Sequence, residues 1–458
     1  MRCKAVKNKH IFNNQLRIEG KFYLNDYSLL SMVIEENPDK CMLLDELADV
    51  MNPPIFKRQF CKKTERSVQY FQSSDVPTMS ETSNVYVLRK QAEKIGAIVK
   101  ENDILITGFG TIGNTRLVSV LQEGACYANN VARIKAKDNE LYGFLYAFMA
   151  SKYANAQLNK NASGSVVRYI EAPGIKKTLV PIFPKEKQEQ IHNLITEAAT
   201  LRVEANRLLE EAVEVLSTFI GIKQKGMLTQ FGKVSLKDIS KSLSTRLDPP
   251  IFVNNGVRTM EAIRNSDKKL VPLSEIEDIT VYRPGIFKRS YVAKGLPYIK
   301  GSELFNTNPF IRCDNLSKTK TPFIDEMTLK ENQILITCAG SCGLIKMITK
   351  EYEDREAIGS QDIIRLQSEN ILFTSEYLFV YLQLPFVYDY IQSMKYGSVI
   401  ERIEPFHVQS IPIVVPSKEL SVNITNLITN YKNNVYQAFS NENQAISLVE
   451  NEIALWQS

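Results

Sequence analysis

Histidine is nearly absent: His10, His192 and His407 are the whole complement of a 458-residue chain, and they fall at unrelated places in it. Imidazole acid–base catalysis therefore has little support, and a zinc site would need an unusual ligand set. The seven cysteines are an odd number without Cys-x-x-Cys spacing, which predicts buried thiols in a reducing compartment and no metal site. No stretch approaches the ~18 uninterrupted apolar residues of a membrane span. The amino-terminal stretch, with Arg2, Lys4, Lys7 and Lys9, lacks an apolar segment suited to a secretion signal. These absences predict a cytoplasmic protein with no membrane contact. Also missing are a Ser/His/Asp set, a repeated carboxylate pair and a P-loop lysine, so no catalytic residue is assigned.

What the chain does contain is a copy of itself. Arg17-Ile18-Glu19 matches Arg246-Leu247-Asp248 and Leu44–Val50 matches Leu273–Ile279, both 229 residues apart. Ile55-Phe56-Lys57-Arg58 recurs as Ile286-Phe287-Lys288-Arg289 at 231, and Ile104–Thr107 with Gly110 and Gly113 as Ile334–Thr337 with Gly340 and Gly343 at 230. Gly164-Ser165-Val166 recurs at Gly397 and Asn193–Thr196 at Asn426–Thr429, at 233. An offset that drifts by only four residues identifies a tandem duplication. Within each copy, Asp103–Thr107 and Gln333–Thr337 read as buried strands ending at glycine turns, and Leu141–Met149 and Glu376–Leu384 as core helices. Val180–Pro184 and Ile411–Pro416 read as short extended segments, and Lys223–Gly232 as a turn between the copies.

Each copy ends in a long amphipathic helix. From Lys185 onward, Ile191, Ala198, Ala205, Ala212 and Phe219 alternate at heptad spacing with Leu194, Leu201, Leu208, Val215 and Ile222. The same register returns at Ile424, Leu427, Tyr431, Ala438, Ala445 and Leu448. Apolar a and d positions predict a narrow seam, and alanines at a allow close approach, so the two helices are expected to pair as an antiparallel coiled coil with pseudo-twofold symmetry. Some 37 residues of helix would span ~55 Å and hold two similar heads at a fixed distance. Between Glu186 and Leu216 seven glutamates face three cations, a local net of −4, which leaves +9 of the net +5 on the rest of the chain. This helix is therefore not expected to lie on phosphates. Asn434 and Asn441 at d, with no Glu-Gln pair after Pro416, predict a shorter or looser second helix.

Three motifs could carry chemistry. Gly108-Phe109-Gly110-Thr111-Ile112-Gly113 fits a dinucleotide fingerprint, but the second copy begins with Cys338 and an apolar run, Leu117–Leu121, follows where a helix should. A structural turn is the expectation. Asn52-Pro53-Pro54-Ile55 and Asp248-Pro249-Pro250-Ile251 resemble the motif with which amino-methyltransferases hold a flipped base, yet Ile replaces the stacking aromatic both times and the sites are not equivalent in the repeat. The stronger signal is a mixture of basic and aromatic residues at one place in both copies. Lys57, Arg58, Lys62, Lys63 and Arg66 lie among Phe56, Phe60, Tyr70 and Phe71; Arg283, Lys288, Arg289, Lys294 and Lys300 lie among Tyr282, Phe287, Tyr291 and Tyr298. Such residues neutralise phosphates and read guanine edges, and these ten are the candidate DNA contacts.

Taken together, the Ile-Leu-Ile-Thr strands with Gly-x-x-Gly, the Gly-Ser-Val blocks, Pro184 with Glu189-Gln190-Ile191, and Leu296–Lys300 resemble the specificity subunits of type I restriction-modification systems over essentially the whole chain. The resemblance implies an α/β protein with two target-recognition domains, residues 1–184 and 227–416, each followed by a spacer helix, 185–226 and 417–458. It implies a non-catalytic reader of a split double-stranded DNA sequence, docked by its helices to two modification subunits and to restriction or motor subunits. S-adenosylmethionine and Mg-ATP would belong to those partners, and the chain itself would carry no cofactor. The alternatives are the same architecture in another phage-defence complex, or a methyltransferase with built-in recognition.

Overall fold

The computed structural model describes residues 8, 11, 25–138, 141–164, 167–221, 234–241 and 245–457. The basic amino terminus with His10, the match at Arg17–Glu19, Ser165-Val166, Ile222 and the turn at Lys223–Gly232 lie outside the described residues. Two compact units are formed, Met1–Val203 with Gln437–Ser458, and Glu204–Tyr436. The division falls inside the long helices, between Val203 and Glu204 and between Tyr436 and Gln437.

Unit 1 contains, in chain order, α1 (Asp26–Glu35), β1 (Cys41–Leu43), β2 (Ala48–Met51), β3 (Phe60–Cys61), β4 (Ser67–Phe71), β5 (Tyr86–Leu88), β6 (Ile104–Thr107), β7 (Thr115–Leu117), β8 (Cys126–Tyr127) and β9 (Val131–Ala136). Helices α2 (Tyr142–Ala150) and α3 (Lys152–Lys160), strand β10 (Leu179–Pro181) and the long α4 (Lys185–Ile220) follow. One sheet has the order β2-β9-β6-β7 and is antiparallel throughout; a second, β3-β5-β4-β8, has its last pair parallel. All four residues of β6 are buried, which is why this strand reads as an unbroken apolar run and not as an alternating one. Its two sides serve different cores: Ile104 and Ile106 pack with Phe144, Phe148 and Leu158, whereas Leu105 packs with Phe71 and Tyr127.

Unit 2 repeats the plan with α5 (Asn255–Arg264), β11 (Leu270–Pro272), β12 (Ile279–Tyr282), β13 (Tyr291–Val292), β14 (Leu296–Ile299), β15 (Asp314–Leu316), β16 (Ile334–Thr337), β17 (Ile345–Met347), β18 (Ile358–Gly359) and β19 (Ile363–Ser368). Then come α6 (Ser375–Gln383), α7 (Pro385–Met394), β20 (Pro412–Val414) and α8 (Lys418–Ala454). Its sheets have the orders β12-β19-β16-β17 and β13-β15-β14-β18, the same connectivities as in unit 1. The duplication read from short sequence matches is thus a duplication of topology.

The two long helices contain 36 and 37 residues. The second is therefore not the shorter one: Asn441 is buried in it and accepts a hydrogen bond from Gln437, so this d position is accommodated by a local side-chain bond instead of ending the helix. Within unit 1 the helices run antiparallel, with Lys187 paired to Glu452 and, farther along α4, Arg202 to Glu442. The burial differs from a strict a/d seam. Ile191, Ala198, Ala205 and Ala212 are buried, as are Ile424, Tyr431, Ala438 and Ala445. Of the described apolar d residues only Leu208 is buried, whereas Leu194, Leu201, Val215, Leu427 and Leu448 are half-buried and Ile195, Leu216, Ile428, Val435 and Val449 beside them are buried. Each helix also packs on its own globular body: a side chain at Gly143 would run into the backbone of His192, and the hydroxyls of Tyr142 and Thr196 are 3.1 Å apart. A helix with a second neighbour buries a wider stripe than a coiled-coil seam.

Candidate nucleic-acid interface

In unit 1 the chain leaves β2 at Asn52. Its side-chain oxygen accepts from the Ala172 N–H at 2.8 Å and its amide donates to the Asn129 carbonyl at 3.4 Å. Asp248, of the other Pro-Pro site, accepts instead from Arg246 at 2.7 Å, and Pro250 opens a helical turn. Both motifs are used for local structure.

Beyond Asn52, a loop and the connection from β3 to β4, two strands that both pair with β5, form a basic segment that presents these residues. Phe56 anchors the loop against Val68, Val87 and Ala92. Gln91 grips its backbone from both sides, donating to the Lys57 carbonyl at 2.6 Å and accepting from the Gln59 N–H at 3.2 Å. Fixed in this way, the loop leaves Lys57, Arg58, Lys62, Lys63 and Arg66 exposed, with Ile55 at its tip 89% exposed. The Arg58 guanidinium lies 5.7 Å from the centre of the Tyr70 ring, against which Phe60 also packs edge-on.

Unit 2 repeats this geometry with different charges. Phe287 is the anchor, Ile286 is 77% exposed, and Arg289 lies 5.6 Å from the Tyr298 ring while donating to its hydroxyl at 2.8 Å. Lys288 and Lys294 are exposed, but three of the five candidates are engaged inside the chain. Arg283 pairs with Glu404 at 3.2 Å, Arg289 lies 3.9 Å from Asp362, and Lys300 sits 2.5 Å from Asp314 and 3.6 Å from Glu303. The Asp314 hydrogen bond holds the Lys300 ammonium above its ordinary pKa. The sequence reading could not separate free cations from paired ones, because the acids lie up to 121 residues away from their partners.

Two further loops join the basic segment. The hydroxyl of Thr107 accepts from the Asn114 N–H and donates to the Thr111 carbonyl, closing the glycine turn, and Thr337 does the same for its own turn. Gly110 and Gly340 have φ near +70°, Gly113 and Gly343 near +84°, and the chain then enters β7 or β17. A turn between antiparallel strands offers no helix N-terminus to a pyrophosphate, so the fingerprint is structural. Gly110 N–H donates to the Arg168 carbonyl and Gly340 N–H to that of Glu401, which ties each turn to the loop carrying the Gly-Ser-Val block. In unit 1 that loop continues to Ala172, the partner of Asn52; in unit 2 it continues to Glu404, the partner of Arg283. Basic segment, glycine turn and the described part of the loop after Gly164 or Gly397 are therefore connected along one edge in each unit. Val167, Val399 and Ile400 are exposed on it, residues that sequence matching marked only as repeats.

Among the described residues no group of His, Cys, Asp and Glu is arranged to hold a metal ion, and no helix is long and apolar enough to cross a membrane.

The type I restriction modification DNA specificity domain matches residues 40–214 and again residues 265–447, once in each repeat. No curated protein matches the chain. Among solved structures, the S subunit of a type I restriction-modification system from M. genitalium is 14% identical, with 90% of this chain and 94% of that chain covered and a TM-score of 0.36. The HsdS subunit from Thermoanaerobacter tengcongensis is also 14% identical, covering 90% and 95%, with a TM-score of 0.27. With the domain matching twice and over well more than half its length, the chain belongs to the family of type I restriction-modification DNA specificity subunits.

Proposed function

We propose that the chain is the non-catalytic reader of a type I restriction-modification complex, each repeat reading one half of a bipartite double-stranded DNA target. The observation that carries this reading is the recurrence of one three-loop edge on two copies of one scaffold, with exposed cations on one basic segment and partly paired cations on the other. Base preference is set by side chains on such loops, so two differently furnished copies suit two different half-sites. Lys57, Arg58, Lys62, Lys63 and Arg66 in the first copy, and Lys288, Lys294 and Arg289 in the second, are the proposed contacts. Glu189, Glu197, Glu210, Glu211 and Glu214 are exposed on α4, a charge pattern that suits protein partners better than phosphates, and two modification subunits are proposed to dock on the long helices. Methyl transfer from S-adenosylmethionine and any Mg-ATP-driven step would belong to partners, since the amide of Asn52 already serves the backbone.

The test is a methylome map of cells carrying the chain with its modification subunit. One split motif should appear, and exchanging residues 1–184 for another such domain should alter one half of it only. Methylation by the isolated chain, or a motif that changes in both halves, would overturn the reading.

A further inference from the structure

The α4–α8 pairing in unit 1 contains one buried polar layer. Glu442 is almost fully buried, and both its oxygens are used: one accepts from the Tyr146 hydroxyl and the other from the Arg202 guanidinium. Burial, reinforced by the Glu442 carboxylate, holds the Tyr146 hydroxyl well above its ordinary pKa, so it stays a donor. Arg202 loses water in this layer, yet the carboxylate beside it keeps it firmly charged.

The repeat shows what is unusual about this layer. At the offset of 233 that relates the two helices, Arg202 corresponds to Val435, Glu442 to Leu209 and Tyr146 to Phe379. The equivalent place in unit 2, with Val435 and Phe379 from the second repeat and Leu209 from the first, is thus apolar at all three positions, and Phe379 stacks there on Tyr431. The members of the polar layer are divided between the repeats: Tyr146 and Arg202 come from the first, Glu442 from the second. A pair made from two first-repeat helices would set Leu209 where Glu442 stands and leave Arg202 and Tyr146 without their acceptor. A pair made from two second-repeat helices would set Val435 and Phe379 around Glu442 and bury a carboxylate with no donor. Removing one member of a buried ion pair is far more costly than replacing both by apolar residues.

From this division we infer that the Arg202–Glu442–Tyr146 layer is a pairing selector: it makes the first repeat's helix take the second repeat's helix and reject the same helix of another copy of this chain. Three of the a positions do not discriminate, because Ile191, Ala205 and Ala212 on one helix match Ile424, Ala438 and Ala445 on the other. The duplication created two helices that fit themselves almost as well as each other along this stripe, and the polar layer removes that ambiguity. A single buried polar residue fixing register and partner is the same physics in coiled coils. The inference does not depend on what the basic segments read.

The full-length chain tests it. Arg202→Val, Glu442→Leu and Tyr146→Phe together place the residues of unit 2's equivalent apolar layer, Val435, Leu209 and Phe379, in this one, so the triple variant keeps a packed core and should fold at least as well as the parent. Parent and variants are denatured, refolded at equal concentration and separated by size-exclusion chromatography with light scattering. We expect the triple variant to give roughly tenfold more dimer than the parent, the loss of selectivity that follows when no charge is left unpaired in a like-with-like pair. Glu442→Leu alone should unfold at lower temperature than the triple variant, with Arg202 left unpaired. The charge exchange Arg202→Glu with Glu442→Arg should return the parent's low dimer fraction. A triple variant as monomeric as the parent, or a charge exchange that dimerises like the triple variant, would overturn the inference.

Discussion

Replacing Lys288 and Lys300 separately should have opposite kinds of consequence, although both belong to the same basic, aromatic-rich stretch. Lys288 is exposed on the loop before β13, where a phosphate would be its partner. Lys300 is held 2.5 Å from Asp314 and 3.6 Å from Glu303, so binding a phosphate would first require giving up both carboxylates. A cation that neutralises one phosphate contributes ~0.9 to the slope of log affinity against log salt on double-stranded DNA. Lys288→Ala is therefore expected to lower the slope by ~0.9, and removal of all five exposed cations of the first basic segment by about 4.5. Lys300→Ala should leave the slope unchanged. Lys300 and its closer partner Asp314 are both nearly half exposed, so the cost to stability should be only ~0.5 kcal/mol. The assay is fluorescence anisotropy of a labelled target duplex with the complete modification complex, titrated with KCl, beside urea unfolding of the isolated chain. Equal slope losses for Lys288→Ala and Lys300→Ala would refute the division into free and paired cations.

Lys346 is buried and its ammonium is pushed down to about 8 from 10.5, chiefly by burial, with Glu351 opposing. The folded pKa lies below the unfolded one, so the penalty is full below pH 8 and is relieved as pH rises toward 10.5; between pH 7.5 and 9.5 the parent should gain roughly 2 kcal/mol over Lys346→Met in urea unfolding. His407, whose Nδ1 accepts from the Glu404 N–H, has its pKa lowered by burial and by Arg246, so unit 2 should lose stability as pH falls below about 6.5, a loss absent in His407→Gln. Gly110→Ala should cost about 1 kcal/mol for its left-handed backbone alone, whereas Gly113→Ala should cost distinctly more, since its Cβ would meet Asn155 at 2.3 Å; thermal melts rank the two. Asn52→Ala should destabilise the protein by about 1–2 kcal/mol, by orphaning the Ala172 N–H, and Asn52→Asp should keep that acceptor.

The scaffold was legible because duplication allowed every reading to be checked twice. A buried strand ending at two glycines is ambiguous once, but Ile104–Thr107 and Ile334–Thr337 with their glycines at the same spacing leave one interpretation, and both are central strands. The helix stripe was legible only in part. Leu194-Ile195, Leu208-Leu209, Val215-Leu216, Leu427-Ile428 and Leu448-Val449 are apolar at both d and e. A seven-residue template selects d from such pairs, while the globular body pressing on the same helix buries e in most of them. The ten candidate contacts were recognised as a class and not as individuals. Whether Arg283 or Lys300 is free depends on Glu404 and Asp314, which only folding brings close.

The same distinction explains how one scaffold can carry two readers. Phe56 and Phe287 fill equivalent places beneath their basic segments, and each arginine two residues later lies over a tyrosine, 5.7 Å and 5.6 Å from its ring centre. The phenylalanines point inward and fix the path of the loop, while each tyrosine ring braces its arginine. The side chains between and beyond them point outward: Lys57, Lys62, Lys63 and Arg66 on one copy, Lys288 and Lys294 on the other. Substituting an exposed loop residue costs little stability, usually within ~0.5 kcal/mol, whereas truncating a half-buried anchor such as Phe56 or Phe287 costs more, though less than the ~3–5 kcal/mol of a fully buried aromatic. Recognition can therefore diverge freely at the outward positions while the anchors hold the loop in place. Phe287→Ala should accordingly alter binding at every sequence, and Lys288→Ala only its strength on phosphate.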